Sequence, residues 1–221
     1  MDYEQSSNCW YKDVCSNYHE ECDKSCIRYS EMLFLVKNSG IPQSRWMPDV
    51  LDAGKEDYDA FIRLAEIKDD IVSLTQKGYN LYITSEYTGN GKTSWAIKIL
   101  LKYFNEVWAG NGFRVRGMFI HIPTLLLQLK NFNNPLSEEY KRNILECDLV
   151  VWDEIAYSGL SGYDYSNLLM FLENRMLSGK ANIFTSNRDT KEKLDAIVGS
   201  KLSSRIWQSS EIIHLEGRDR R

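Results

Sequence analysis

Residues 85–96 read SEYTGNGKTSWA. The stretch closes on Gly91-Lys92-Thr93, the ending of a phosphate-binding loop. Its setting agrees: the apolar run NLYITSE (80–86) leads into it, and the helical pattern TSWAIKILLKYFNEVW (93–108) follows. A strand, a glycine loop and a helix in that order bring backbone amides and the positive helix end to one place, where anions are held. The expected cradle is Tyr87, Thr88, Gly89, Asn90, Gly91, Lys92, Thr93 and Ser94. Gly89 and Gly91 let the backbone curl, Lys92 reaches the β and γ phosphates of ATP, and Thr93 offers its hydroxyl to Mg2+.

One position departs from the motif: Glu86 stands where its first glycine belongs. A carboxylate ~6 Å from a phosphate charge, at an effective dielectric of about 20, is repelled by roughly 3 kcal/mol. An inward Glu86 would cripple binding. The expectation is an outward one, because the first glycine eases the strand exit while the later ones line the cradle.

The run LVVWDE (149–154) supplies the second half of such a site. It is an apolar strand ending in two carboxylates. Asp153 is expected to hold the hydrated Mg2+, and Glu154 to orient and polarise the attacking water. A protein that only binds has little use for Glu154, so the pair argues for hydrolysis.

Working outward, residues 57–77 have near-helical apolar spacing and stop at Gly78. RGMFIHI (116–122) reads as a strand, TLLLQLKNF (124–132) and residues 137–146 as helices, and CDLVVWDE (147–154) as the acidic strand. Ser166 is a candidate cap for a helix over 167–178, closed by Gly179. NIFTSN (182–187) and SEIIHLEG (210–217) complete five strands, with the helix-like KEKLDAIV (191–198) between them. Alternating strands and helices predict an α/β fold, a P-loop NTPase with a mostly parallel sheet covered on both faces. The unalternating runs LVV and NIF agree, since strands buried on both faces show no polar side.

At 221 residues the chain suits one such domain with a small appendage. A net charge of −4 excludes a polycation built to coat nucleic acid, so any DNA contact must be local. No apolar run is long enough to span a bilayer, and the polar start MDYEQSSNCWYKD is no secretory signal. A cytoplasmic location is expected, where reducing conditions argue against disulfides.

Four of the five cysteines lie within the first 26 residues. The expected divisions are a cysteine-rich domain over 1–37, a linker and entry segment over 38–56, and the main domain over 57–221. Cys9, Cys15, Cys22 and Cys26 are spaced C-x5-C-x6-C-x3-C and can complete a tetrahedral Zn2+ site, a staple that a segment with little core needs. His19 can replace one of them. Scattered reduced thiols and an iron–sulfur cluster are the alternatives. Cys147, at a strand start, is expected in the core.

On GNGKTSWA, LVVWDE, NIFTSN, GSKLSSRI and the terminal EGRDRR, residues 38–221 resemble AAA+ ATPases, and more closely the DnaC-type helicase loaders of bacteria and their phages. The resemblance implies a RecA-like five-stranded core, and residues 188–221 are too few for a helical lid. It implies ATP hydrolysis and a phage origin. It implies a hexameric replicative helicase of the DnaB type as partner, weak binding of single-stranded DNA, ATP-dependent self-assembly and no membrane. By the match, Asn187 is the γ-phosphate sensor and Arg205 the finger presented to a neighbouring subunit's ATP. Read alone, SSRIW is an amphipathic helix with one exposed arginine. Some loaders similarly carry an N-terminal zinc domain that grips the helicase. Arg114, Arg116, and Lys130 beside Phe132 are candidates for DNA contact, and Arg218, Arg220 and Arg221 for a basic tail. Two rival readings are a transposition helper ATPase of the IstB type, and a non-hydrolysing zinc adaptor whose loop Glu86 has spoiled.

Overall fold

The computed structural model describes residues 9–19, 22, 25–107, 113–130 and 137–218. Helix α1 (Ile27–Asn38) leads through two short 3-10 turns to α2 (Tyr58–Asp69) and α3 (Ile71–Gln76), separated at Asp70. The helical pattern of 57–77 is therefore two helices, because Asp70 takes a backbone conformation (φ −99°, ψ 16°) outside the helical well. Strand β1 (Asn80–Thr84) enters the glycine loop, and α4 (Lys92–Val107) leaves it. Then come β2 (Gly117–His121), α5 (Ile122–Leu129), α6 (Glu138–Glu146) and β3 (Leu149–Asp153). The chain continues with α7 (Gly162–Leu177), β4 (Ala181–Ser186), α8 (Lys191–Val198), α9 (Ser200–Ser209) and β5 (Ser210–His214).

The strands form one parallel sheet in the order β2-β3-β4-β1-β5. Successive residues point to opposite faces. Leu81, Ile83, Leu149 and Val151 pack beneath α1 to α4, whereas Tyr82, Val150, Trp152 and Phe184 pack beneath α5 to α9. Both faces are thus covered, as the unalternating strands require. Tyr11, Met32, Leu35 and Val36 share the first core with α4. Among the described residues, no helix is long and apolar enough to cross a membrane.

One helix start differs from expectation. Helix α7 begins at Gly162, and its cap is Ser161, not Ser166. Ser161 Oγ accepts the Asp164 N–H while the Asp164 carboxylate accepts the Ser161 N–H, a reciprocal capping box. Ser166 lies inside the helix, its hydroxyl donating to Gly162 O at 2.8 Å. Cys147 is buried, as expected, with burial pushing its thiol up to about 11.

Candidate functional site: the glycine loop and the end of β3

Parallel order places β1, β3 and β4 side by side, so everything leaving their carboxyl ends converges on one rim. The glycine loop leaves β1 there. Gly89 and Gly91 have φ of 73° and 100°, a region that a side chain would strain. The Gly91 carbonyl accepts the Trp95 N–H at 2.8 Å, so the loop runs directly into the first turn of α4. Lys92 Nζ donates to Tyr87 O at 2.6 Å and to Asn90 Oδ1 at 3.1 Å. Burial pulls the Lys92 ammonium down to about 8, against the opposing pull of Asp153 and Glu154. A lysine whose charge is disfavoured by burial is one that a polyanion would hold protonated.

Asp153 closes β3, with 5% of its surface exposed. Its Oδ1 accepts the Thr93 hydroxyl at 2.8 Å and the Thr185 hydroxyl at 2.6 Å. Thr93 and Asp153, each expected at Mg2+, are in direct contact between α4 and β3. A hydroxyl and a carboxylate side by side form a hard-oxygen set that fits Mg2+, which retains waters and takes few protein ligands. Glu154 follows at φ 59°, uncommon for a residue with a side chain. Its N–H is held by Thr185 Oγ1 at 3.1 Å, and His121 Nε2 lies 3.4 Å from its Oε2.

Glu86 turns outward. Its carboxylate pairs with Lys193 on α8. Asn187 is exposed one residue beyond Ser186, whose partner across the sheet is Thr84 at the end of β1. The structure therefore brings Asn187 to the rim where the loop begins. Arg205 stands half exposed on α9, with its Nε 3.4 Å from Glu173 of α7.

Several site residues escaped sequence reasoning. Arg45 and residues 49–54, read as linker, line a cavity of about 970 Å3 opposite Gly89 to Ser94. Arg45 pins this side: its Nη2 donates to Ser94 Oγ at 2.6 Å and to Asp49 Oδ2 at 2.9 Å. Such a bond across 49 residues leaves no pattern in the sequence. Thr185 and His121 were missed too, though each sits at a strand end that the apolar runs locate.

The DNA candidates are already engaged. Arg114 and Arg116 both face Asp148, at 3.4 and 2.8 Å, and Lys130 pairs with the buried Asp164 at 2.7 Å. Arg218 lies over the Tyr87 ring at 5.9 Å, within the loop's reach. Phe132, Arg220 and Arg221 lie outside the described residues.

Cys9, Cys15, Cys22, Cys26 and His19 line one pocket of about 550 Å3. Cys22 Sγ accepts the His19 N–H at 3.3 Å. Burial raises the Cys9 thiol pKa, aided by the other three thiols. Among the described residues, no three His, Cys, Asp or Glu side chains are gathered closely enough to hold a metal ion.

A nucleotide-type loop, an acid-ended β3 and the order β2-β3-β4-β1-β5 occur together on one rim. Solved structures share the fold of this chain. The DnaC helicase loader superposes with a TM-score of 0.66 at 16% identity, covering 79% of this chain and 100% of its own. The chain has the fold of that protein. DnaI gives a TM-score of 0.62 at 20% identity, over 78% of this chain and 88% of its own. AMPPCP-bound DnaA from Aquifex aeolicus gives 0.58 at 18% identity, over 75% of this chain and 48% of its own. No protein-family model matches the sequence, and no curated protein is detectably similar to it. The likeness thus rests on shape.

Proposed function

We propose that the chain is an ATP-hydrolysing replication protein that loads a hexameric replicative helicase onto single-stranded DNA. The observation that carries this reading is the Thr93 to Asp153 contact at 2.8 Å, which joins the loop to the acidic strand with Glu154 beside it. Similarity in fold to the DnaC helicase loader supports the biological role.

In this reading the triphosphate lies against the amides of residues 89–93, and Lys92 carries charge on the β and γ phosphates. Thr93 and Asp153 would hold Mg2+, which when bound neutralises phosphate charge. Glu154, steadied by Thr185 through its own backbone, orients the water that attacks the γ-phosphate. Asn187 contacts that phosphate or the water. Arg205 serves the ATP of a neighbouring copy, so turnover requires assembly. The adaptor alternative needs an inward Glu86, and the pairing of its carboxylate with Lys193 supports the outward one.

The N-terminal unit would dock on the helicase. Zinc belongs to this proposal on the cysteine spacing and the shared pocket, with the thiols closing on the ion from their present positions. Metal analysis checks it: about one zinc per chain, lost in Cys22→Ser, supports the site. With Arg114, Arg116 and Lys130 engaged by carboxylates, DNA binding is expected to be weak and salt-sensitive. Co-sedimentation of the zinc-loaded chain with a hexameric replicative helicase tests the loader role. Association strengthened by ATP is the expected result, and none with or without ATP contradicts it.

A further inference from the structure

The residue that breaks the loop motif has a partner of its own. The Glu86 backbone is fixed on both sides: Ser85 N–H donates to Ser186 O at 3.3 Å, and Tyr87 N–H donates to Ser85 Oγ at 3.1 Å. Its side chain is what can move, through several rotatable bonds. It reaches to α8 and pairs with Lys193 Nζ, which also binds Asp189 Oδ1 at 2.7 Å. Asp189 lies two residues beyond Asn187. One ammonium thus bridges the first position of the glycine loop and the turn that leaves β4. Asp189, and after it Glu86, hold the Lys193 ammonium above the ordinary lysine range.

All three side chains reach solvent, with 57% of Glu86 and 45% of Lys193 exposed. An exposed ion pair contributes little to folding stability. Its consequence lies instead in where the Glu86 charge sits. Turned toward the loop, that carboxylate would face the same amides and the same Lys92 that a phosphate would meet.

We propose that Lys193 is a positioning residue for the nucleotide site: its ammonium holds the Glu86 carboxylate on the α8 side of the loop and leaves the loop amides to phosphate. This rests on the nucleotide-binding reading given above. It also makes Glu86 and Lys193 a matched pair, in which the lysine offsets the charge that the missing glycine brings. The lysine acts through Glu86 and touches no phosphate itself.

Isothermal titration with ATP·Mg2+ separates the possibilities. Lys193→Met is expected to weaken binding about threefold to fivefold, the scale set by the exposed ion pair that it releases. Lys193→Arg keeps the wild-type affinity. The double variant Glu86→Gln/Lys193→Met recovers it to within about twofold, because the charge to be restrained is gone. A Lys193→Met loss that persists in the double variant overturns the proposal, since the lysine then acts on phosphate or on the fold directly. Unchanged affinity in Lys193→Met overturns it as well. A wild-type chain that binds no ATP is a different failure and overturns the nucleotide reading along with it.

Discussion

Thr185 donates its hydroxyl to Asp153 Oδ1 at 2.6 Å and, through the same oxygen, accepts the backbone N–H of Glu154 at 3.1 Å. One side chain of β4 therefore contacts both Asp153, the last residue of β3, and the backbone of Glu154 just beyond it. Glu154 stands at φ 59°, a conformation that persists only when its surroundings impose it.

Thr185→Val keeps the shape and the β-branching but removes both bonds. Loss of stability is expected at about 1–3 kcal/mol, the cost of leaving a buried polar group unpaired. ATP turnover should fall further than ATP binding, since the Glu154 backbone loses its anchor. Urea melts and steady-state phosphate release check the two parts.

Lys92 predicts a proton linkage. In the free protein its ammonium titrates near 8, and bound phosphate would move that value upward. The complex then holds more protons than the free protein between the two values. ATP binding should take up protons around pH 8 and weaken as pH rises above it. Titration calorimetry at pH 8 in two buffers of different ionisation enthalpy measures the uptake. Equal apparent enthalpies would contradict it.

Asp57 is wholly buried at the start of α2, and its Oδ1 accepts the Glu216 N–H at 2.6 Å. Gly217 N–H reaches both of its oxygens, at 3.2 and 3.1 Å. Asp57→Asn removes the charge from these bonds, and a loss of about 2 kcal/mol is expected. Because Arg218 lies over Tyr87 just beyond this clamp, hydrogen exchange at residues 215–218 should also quicken.

The legible part of the molecule is what local chemistry dictates. NLYIT, LVV and NIF are apolar without alternation, and β1, β3 and β4 lie where those runs fall. Gly91-Lys92-Thr93 and Asp153-Glu154 were readable because strand, loop and helix set them in a fixed order. Ser161 is legible as well, since Ser-x-x-Asp is a capping-box pattern, whereas Ser166 lies one turn inside the helix. Other features were closed to such reading. Arg175 looks like a surface charge on α7 but is fully buried, donating to Ile144 O, Cys147 O, Ala181 O and Asn182 Oδ1. The bonds from Arg45 to Ser94 and from Asp57 to Glu216 join distant segments, and only the folded chain reveals them.

Steady-state ATP hydrolysis by the wild-type chain and by Glu154→Gln, each mixed with a hexameric replicative helicase and single-stranded DNA, tests the central claim most directly. The account predicts turnover by the wild type, and binding of ATP with turnover reduced at least about 100-fold in the variant. Equal rates in the two proteins, or no ATP bound by either, would contradict it.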